Sequence, residues 1–423
     1  MQHLYTLFIF FLQAAYRLAA LFHPKAKAWV RGRRGWEDAL FENLYSWPEV
    51  RPRVWMHCAS LGEFEQGRPV LEKIQQAFPE YLIVLTFFSP SGYELRKNYP
   101  GADYVCYLPI DMPTSARLFV DIVRPDLVIF VKYEFWFNTL QAVQRKGTPL
   151  VLISALFRPD QVFFQPWGKW FRRILAGFDL IFTQDEGSRA LLRKYGIPST
   201  VTGDTRVDRV LRIVEEAKCF PQIEHFCQQA SILVAGSTWP TDEEVIARWW
   251  GTAGQKEDWR LIIAPHDISE GHLQQIEKRF GNQHIIRYTH LDEWQEQRLL
   301  LIDNIGMLAA LYRYARVAYI GGGFGAGIHN TLEPVAHGCP VLFGPRYEKF
   351  AEARVLVDTG GAFVIDQDAT LRTTLQHLQA TDHYALAAMA ARDYVRNNQG
   401  ATDRIVQKLF DERLLSGTSG PPL

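Results

Sequence analysis

The sequence predicts an α/β protein with two Rossmann-like, doubly wound domains facing a cleft, preceded by an N-terminal membrane-anchor helix. The chain has 423 residues, more than one ordinary hydrophobic core organises. Short runs rich in Val, Ile and Leu alternate with helix-length segments, the pattern of parallel strands covered on both faces. Residues 4–22 are almost wholly apolar. The first two observations predict the two domains, and the third predicts the anchor.

Composition excludes several classes of protein. Hydrophobic residues make up 48% of the chain and charged residues 22%, a balance typical of a folded globular protein. Lys plus Arg equals Asp plus Glu at 46 each, which argues against a nucleic-acid-binding protein. The five cysteines are scattered without C-x-x-C spacing, so neither a disulfide framework nor a zinc site is indicated. We expect no metal and no cofactor.

The anchor is predicted within residues 1–34. The run from Leu4 to Phe22 is interrupted only by Gln13 and Arg17 as strongly polar residues, and it nearly matches the thickness of a bilayer core. Basic residues follow it, whereas a signal peptide carries its charges before the apolar run. Two arrangements remain open, a spanning helix and a helix lying on the surface with Arg17 reaching towards water. Both predict the cytoplasmic side of the cell inner membrane.

Strand signals and a break near residues 210–230 predict the domain organisation. The first domain is expected at 35–215 and the second at 225–382. Residues 383–414 are expected to form C-terminal helices, and residues 415–423 a disordered tail. The predicted strands lie at 54–57, 82–87, 104–108, 127–131, 150–153, 180–183, 200–202, 232–235, 261–264, 299–302, 317–320, 341–343 and 363–365.

The strongest motif is the glycine-rich stretch at 317–337. A strand leads into the glycines, and a helix is predicted to begin near Asn330, where free N–H groups suit a phosphate. Glu333 would lie in the first turn and accept hydrogen bonds from ribose hydroxyls. Gly321–Ala326 also matches G-x-G-x-x-A, which leaves open a nicotinamide-dependent oxidoreductase. A tight turn with an acidic first turn is the simplest alternative.

Two carboxylates follow predicted strands of the first domain. Glu63 lies where a catalytic carboxylate would face the cleft, but Ser60-x-x-Glu63 is also a capping box, which the spacing alone favours. Glu134 follows another strand, where it has a functional position but also a possible ion-pair partner in Lys132.

Three further stretches are candidate binding loops. Arg206 would reach a phosphate, although its spacing favours pairing with a neighbouring aspartate. Gly236 and Ser237 follow a strand and suit either a phosphate or sugar site or a plain β-to-α turn. His266 follows another strand, with no spacing that indicates a metal.

Taken together, these stretches resemble the 3-deoxy-D-manno-octulosonic acid (Kdo) transferase family from the N-terminal segment to about residue 400. The motifs that carry the resemblance, in chain order, are Ser60-Leu61-Gly62-Glu63, Ser89-Pro90-Ser91-Gly92, Tyr133-Glu134-Phe135-Trp136, Val201-Thr202-Gly203-Asp204, Ala235-Gly236-Ser237-Thr238 and the segment from Gly306 to Tyr347, which includes His329-Asn330-Thr331-Leu332-Glu333-Pro334 and Ala336-His337-Gly338-Cys339-Pro340-Val341.

The resemblance implies the two-domain glycosyltransferase B (GT-B) fold and transfer of Kdo from CMP-Kdo to the lipid A precursor, lipid IVA. The first domain would then bind the acceptor and the second the CMP-sugar. Glu63 would be the general base, which overrides the capping preference, and Glu134 and Arg206 would stabilise the transition state. The implied CMP-binding residues are Pro265, His266, Ile305, Gly306, Met307, Asn330, Thr331, Leu332 and Glu333.

The chain departs from the family pattern at four of these positions. The family usually has Lys in place of Arg206, Arg in place of His266, Glu in place of Met307 and Pro in place of Thr331. The departures concern details of CMP binding rather than the fold. A non-enzymatic alternative is a membrane-anchored lipid-binding protein with an inactive site, in which loss of Glu63 would be harmless.

Overall fold

The structure is a computed structural model that describes residues 1–45, 47, 51–132, 134–228, 230–281 and 284–416. Tyr133 and residues 417–423 of the predicted tail lie outside the described residues. The chain forms two compact units. Unit 1 comprises Met1–Asp208 and Asn398–Leu423, and unit 2 comprises Arg209–Asn397.

Unit 1 is built on a parallel sheet of seven strands. The strands are β1 (Arg53–Cys58), β2 (Leu82–Phe87), β3 (Tyr104–Tyr107), β4 (Leu127–Val131), β5 (Leu150–Ala155), β6 (Leu180–Thr183) and β7 (Thr200–Val201). The helices from the N-terminus are α1 (Gln2–Ala19), α2 (Pro24–Arg31), α3 (Trp36–Tyr45), α4 (Leu61–Ala77), α5 (Pro90–Arg96), α6 (Pro113–Val123), α7 (Phe137–Arg145), α8 (Lys169–Leu175), α9 (Glu186–Arg193) and α10 (Thr205–Glu215).

The strand order of unit 1 is β3-β2-β1-β4-β5-β6-β7. Successive side chains of β1 enter different cores: Trp55 joins the cluster on one face, and Val54 and Met56 join the cluster on the other. Burial on both faces explains the continuous apolar runs. The order reverses between β1 and β4, and a ligand of such a sheet binds beyond the carboxyl ends of the strands at that switch point.

Unit 2 has a second parallel sheet of seven strands. The strands are β8 (Ser231–Thr238), β9 (Trp259–Pro265), β10 (Ile285–Arg287), β11 (Leu299–Leu301), β12 (Val317–Ile320), β13 (Val341–Phe343) and β14 (Ala362–Val364). The helices are α11 (Pro221–Cys227), α12 (Pro240–Trp249), α13 (Glu270–Phe280), α14 (Leu308–Leu311), α15 (Leu332–Ala336), α16 (Ala351–Thr359), α17 (Asp368–Gln379) and α18 (Thr381–Asn398). The order β10-β11-β9-β8-β12-β13-β14 places the switch point between β8 and β12.

The prediction of two α/β domains with parallel sheets is therefore confirmed. Each predicted strand has a counterpart. Of the fourteen strands in the described part of the chain, β10 was not anticipated, because its apolar run, Ile285 and Ile286, has only two residues. The boundary between the two units falls between Asp208 and Arg209, within α10, whereas the sequence predicted a break near residues 210–230.

The end of the chain returns to unit 1. A last helix, α19 (Ala401–Asp411), packs on α4 and buries Ile405, Val406 and Leu409 in the unit 1 core. An ion pair of 2.9 Å between Lys73 and Asp403 supports the contact. The segment predicted as C-terminal helices at 383–414 thus divides between the two units, because the apolar stripe of α19 matches a face of α4.

Helix α1 has one attached face and one exposed face. Tyr5 donates a hydrogen bond of 2.7 Å to Asp111, Ile9 is buried, and Tyr16 stacks on Trp29. The opposite face carries large apolar side chains that are at least half exposed, namely Leu4, Leu7, Phe8, Phe10, Phe11 and Leu18. In the described part of the chain, no helix combines the length and hydropathy that a membrane crossing requires. The predicted membrane anchor stays a prediction.

Candidate active site

Two carboxylates lie at the switch point of unit 1. Glu63 follows β1 and lies in the first turn of α4, and Glu134 follows β4, which is hydrogen-bonded to β1. The turn after β4 includes Lys132 in the left-handed region, with φ of 73°, a conformation that a non-glycine residue adopts at a cost. The topology therefore brings together two acidic residues that are distant in sequence.

Glu63 has both roles that its motif allowed. Ser60 Oγ accepts a hydrogen bond from the backbone N–H of Glu63 at 3.4 Å, which caps α4. Glu63 Oε2 accepts from the backbone N–H of Ala59 at 2.6 Å, so the carboxylate reaches back one residue further than in an ordinary capping box. From the residues that the structure describes, Oε1 of Glu63 accepts no hydrogen bond. One oxygen thus fixes the carboxylate and the other is available for chemistry.

Burial makes these carboxylates weak acids. Desolvation, followed by the negative charge of Glu134, raises the pKa of Glu63 to about 8. Desolvation alone raises the pKa of Glu134 to about 7. The hydrogen bond from Ala59 and the positive charge of Lys132 partly offset the shift at Glu63. A carboxylate with a pKa near neutrality is a competent proton acceptor at physiological pH.

Arg206 is the second residue of α10, in the same unit as Glu63 and Glu134. Thr205, the preceding residue, donates a hydrogen bond of 2.5 Å to the carbonyl of Gln66 in α4. The Arg206 guanidinium is paired with the buried Asp204, at 2.6 Å from Nη2 to Oδ2 and 3.0 Å from Nε to the same oxygen. The pairing expected from spacing is therefore present, and it orients a guanidinium that is still partly exposed.

The candidate donor-binding residues lie together at the carboxyl edge of the unit 2 sheet. Gly236 and Ser237 are at the end of β8, and Pro265 and His266 are at the end of β9. The segment between β11 and α14 contains Ile305, Gly306 and Met307. The glycine-rich loop after β12, called the β12 loop below, ends with Asn330 and Thr331, and α15 begins with Leu332 and Glu333. Parallel strands bring all these segments to one edge of the sheet. Glu63, Glu134 and Arg206 belong to unit 1 instead.

The glycines of the β12 loop are required by backbone packing. A Cβ atom on Gly321 would lie 2.2 Å from the carbonyl oxygen of Ser237, and one on Gly323 would lie 2.5 Å from the backbone nitrogen of Gly344. The loop therefore packs directly against the ends of β8 and β13. Ser237 has φ of 53°, so backbone strain also occurs at this edge.

Asp242, which the sequence analysis missed, holds this loop in place. Its carboxylate accepts hydrogen bonds from the Gly322 N–H at 2.9 Å, the Trp239 N–H at 3.0 Å and the Tyr319 hydroxyl at 3.0 Å. Asp242 lies in the first turn of α12, and only 1% of it is exposed. The sequence feature that could have identified Asp242 is its position as the third residue of a helix after β8, where the acidic residue of a capping box lies.

Glu333 is held by its own loop. Asn330 donates a hydrogen bond of 2.9 Å to Glu333 and accepts one of 3.0 Å from the Leu332 N–H. Burial raises the pKa of Glu333, and Asn330 and Arg209 partly offset this shift. The helix that follows begins at Leu332 rather than near Asn330 and has only five residues. Its dipole is therefore weaker than the sequence suggested, and the side-chain groups gain importance.

The positions that depart from the family pattern have distinct surroundings. His266 stacks on Trp239 at 4.5 Å and on His329 at 4.7 Å, and Trp239 Nε1 donates to His329 Nε2 at 2.9 Å. Met307 is buried, and Thr331 is fully buried with no hydrogen bond to its hydroxyl among the described residues. Ile305 is 85% exposed. An aromatic cluster thus stands where the family usually has a guanidinium.

Comparison with known proteins supports the resemblance. The sequence model of 3-deoxy-D-manno-octulosonic-acid transferase (kdotransferase) matches residues 31–209. The 3-deoxy-D-manno-octulosonic acid transferase of Haemophilus influenzae is 26% identical over 374 residues, covering 84% of this chain and 86% of the relative. That of Aquifex aeolicus is 27% identical over 332 residues, covering 77% of this chain and 85% of the relative.

Solved structures agree on the architecture. The UDP-GlcNAc 2-epimerase of Neisseria meningitidis superimposes with a TM-score of 0.61 at 17% identity, covering 85% of this chain and all of the epimerase chain. A Listeria monocytogenes protein described as a UDP-N-acetylglucosamine 2-epimerase gives a TM-score of 0.60 at 15% identity, covering 86% of this chain and 98% of that one. At such identities the likeness shows only the fold. The similarity to the two transferases extends well beyond residues 31–209, so the chain is similar to 3-deoxy-D-manno-octulosonic acid transferases over most of its length.

Proposed function

We propose that the protein is an inverting glycosyltransferase that moves Kdo from CMP-Kdo to the lipid A precursor, lipid IVA, in lipopolysaccharide core biosynthesis. The observation that carries the proposal is the buried Glu63 beside Glu134 at the unit 1 switch point, with one Glu63 oxygen fixed by Ala59. This pair supplies a proton acceptor at the position where a ligand of such a sheet binds.

In the proposed reaction, Glu63 takes the proton from a hydroxyl of the acceptor sugar. The hydroxyl oxygen forms a bond to the anomeric carbon of Kdo while the bond from that carbon to the CMP phosphate oxygen breaks. The phosphate leaves with the bonding electrons, and attack from the opposite side inverts the anomeric centre. Glu134 and Arg206 would stabilise charge that develops in this step.

We assign the donor to unit 2, in a GT-B arrangement with the acceptor on unit 1. Glu333, oriented by Asn330, would accept hydrogen bonds from ribose hydroxyls. Backbone N–H groups of the β8 and β12 loops would approach the CMP phosphate.

The oxidoreductase alternative loses its main support. The dinucleotide fingerprint uses its glycines for a turn after the first strand and for close approach of a pyrophosphate. Here the glycine-rich loop follows β12, the fifth strand of unit 2, and Gly321 and Gly323 are explained by contact with Ser237 and Gly344. Nucleotide binding by this loop does not require a nicotinamide.

The decisive experiment measures transfer from freshly generated CMP-Kdo to lipid IVA in detergent, with products identified by mass. We expect addition of Kdo by the wild-type protein, and the product mass gives the number of sugars added. If CMP binds and no sugar is transferred to any lipid A precursor, the assigned acceptor is wrong. NAD binding without CMP binding would instead favour the oxidoreductase.

The pH dependence of transfer should follow Glu63. Because the pKa of Glu63 is about 8 and the base acts when ionised, kcat/KM should rise about tenfold per pH unit below that value and level off above it. Glu134→Gln removes the nearby negative charge, so the midpoint should move to lower pH. Glu348→Gln, at an exposed carboxylate of unit 2, is the control and should leave the midpoint unchanged. A wild-type midpoint near pH 5 would contradict this assignment.

We further propose that α1 lies on the cytoplasmic face of the inner membrane. Its exposed apolar side chains recur at the helical spacing of Leu4, Leu7, Phe8 and Phe11, as in an interfacial helix. The basic residues that follow would be attracted to anionic headgroups. This arrangement would bring the acceptor site beside the membrane that supplies the lipid.

Replacing two exposed residues of α1 should detach the protein from membranes. The double variant Phe8→Asp and Phe11→Asp should lose most binding to vesicles of mixed neutral and anionic phospholipid, measured by co-sedimentation, because charge replaces the apolar face. The Tm should change little, since both side chains are exposed. The control pair Leu386→Asp and Met389→Asp, exposed on α18, should bind vesicles normally. Equal loss of binding in both pairs would exclude α1 as the specific contact.

A further inference from the structure

A concave basic site lies between α1, α2 and the segment that follows α2. Its cavity has a volume of about 590 Å³, and five cationic side chains line it: Arg17, Lys27, Arg31, Arg33 and Arg34. No carboxylate is among the lining residues. We refer to these five residues and their cavity as the basic pocket.

Among the described residues, none that lines the basic pocket is acidic. The chain carries six Lys and Arg residues before Glu37, its first acidic residue, although its formal net charge is zero. Within the described ranges, Arg17, Lys27, Arg31 and Arg34 form neither an ion pair nor a side-chain hydrogen bond. Gathering like charges around one cavity is unfavourable unless an anion binds there. A phosphate, with several acceptor oxygens, matches guanidinium groups particularly well.

The position of the basic pocket indicates an amphipathic ligand. Leu21 lines the cavity and is 72% exposed, just beyond the apolar face of α1. Anionic and apolar binding surfaces are therefore continuous. A lipid that carries a phosphate on its headgroup would use both, whereas a soluble phosphate compound would use only the cations.

Arg33 connects the basic pocket to the carboxylates of unit 1. It donates hydrogen bonds to the carbonyls of Phe88 at 2.7 Å and Leu108 at 2.9 Å, which follow the carboxyl ends of β2 and β3. Phe88 stacks on Trp136 at 4.3 Å, two residues beyond Glu134. The pocket thus borders the same sheet edge as Glu63 and Glu134. Arg33 is a positioning residue, because its guanidinium N–H groups donate to backbone carbonyls of the protein.

We infer that the basic pocket binds a phosphate group of the lipid acceptor and thereby directs the acceptor hydroxyl towards Glu63. The inference rests on the proposed function, and it adds to it the chemical group of the acceptor that the protein recognises, a phosphate. The concave form of the pocket and its place beside the carboxylates favour the acceptor over bulk phospholipid, which needs only a flat charged surface.

The test compares Arg31→Ala/Arg34→Ala with Lys25→Ala. All three side chains are exposed, and Lys25 lies on α2 outside the basic pocket, so it controls for loss of charge. Transfer is measured in micelles of neutral detergent with lipid IVA and with the same lipid after enzymatic removal of its phosphates. For wild type and Lys25→Ala, dephosphorylation should raise KM about tenfold or more with little change in kcat. For the double variant, KM should be high with either lipid.

Binding measured without donor separates this inference from the proposed function. If wild type binds lipid IVA more tightly than the dephosphorylated lipid, and the double variant does not, the inference holds even if no sugar is transferred. An unchanged KM for lipid IVA in the double variant would overturn it. So would a defect confined to vesicles with anionic phospholipid and absent in neutral micelles, because the pocket would then serve bulk phospholipid.

Discussion

Replacement of Glu63 by Gln is expected to lower kcat by about 10²–10⁴-fold, the usual contribution of a general base. The amide keeps the size of the side chain and can still accept a hydrogen bond from the Ala59 N–H, so the geometry of the loop should persist. What is lost is the ability to take a proton. The measurement is transfer of Kdo to lipid IVA at saturating substrates, with CMP binding checked separately.

Ser60→Ala distinguishes catalysis from helix capping. It removes the side chain that accepts from the Glu63 N–H and should cost about 1 kcal/mol of stability, while kcat stays within a few-fold of wild type. A loss of activity as large as that of Glu63→Gln would indicate that the motif acts mainly by shaping α4. Full activity in Glu63→Gln would exclude Glu63 as the base.

The Glu63→Gln protein should also gain stability relative to wild type at alkaline pH. The folded-state pKa of Glu63 is about 8, above its ordinary value of 4.5. The stability associated with its protonated form is therefore fully present below the unfolded value and is lost as pH rises through the folded value. Gln is neutral throughout and avoids this loss. Thermal unfolding at pH 5 and pH 9 should show the variant's advantage only at pH 9.

Asp242→Ala is expected to have the second-largest effect, on the donor site. It leaves the buried donors of Gly322 and Tyr319 unsatisfied, at a cost of about 1–3 kcal/mol each, and also removes the acceptor of the partly buried Trp239 N–H. The β12 loop should lose its fixed conformation, and the dissociation constant for CMP should rise about 100-fold or more. Calorimetric titration with CMP well below the unfolding temperature measures this directly.

Tyr319→Phe is the graded control for Asp242. It removes one donor and leaves the Gly322 and Trp239 bonds to Asp242, so it should cost about 1 kcal/mol and change CMP affinity only slightly. Normal CMP affinity in Asp242→Ala would show that the loop keeps its shape without the carboxylate. It would then remove Asp242 from the donor site.

Most of the architecture was predictable from sequence patterns. The strands of both sheets are buried on two faces. Because neither face meets water, each strand appears in the sequence as a short apolar run without alternating polar residues. Strand β10 was missed for a different reason, because its apolar run, Ile285 and Ile286, has only two residues. Glu63 and Glu134 were recognisable because residues that follow strands in such sheets face ligands.

Long-range contacts were not predictable in the same way. Asp242 lies on a surface helix by its pattern, and only the paired β8 and β12 bring the Gly322 N–H to its carboxylate. The stacking of His266 on both Trp239 and His329 joins three separate loops. Likewise, the basic residues of α2 are a charge run in the sequence, and their concave arrangement depends on how α1 is attached.

The return of α19 to unit 1 has a consequence for biosynthesis. Residues 209–397 are contiguous and can fold as soon as they leave the ribosome, whereas unit 1 lacks part of its core until the last segment is made. Phe78 stacks on Phe410 in the folded protein, so this contact cannot form until more than three hundred further residues have been synthesised. The unit that holds Glu63 would therefore be completed after unit 2, which delays assembly of the catalytic site until α19 has been made.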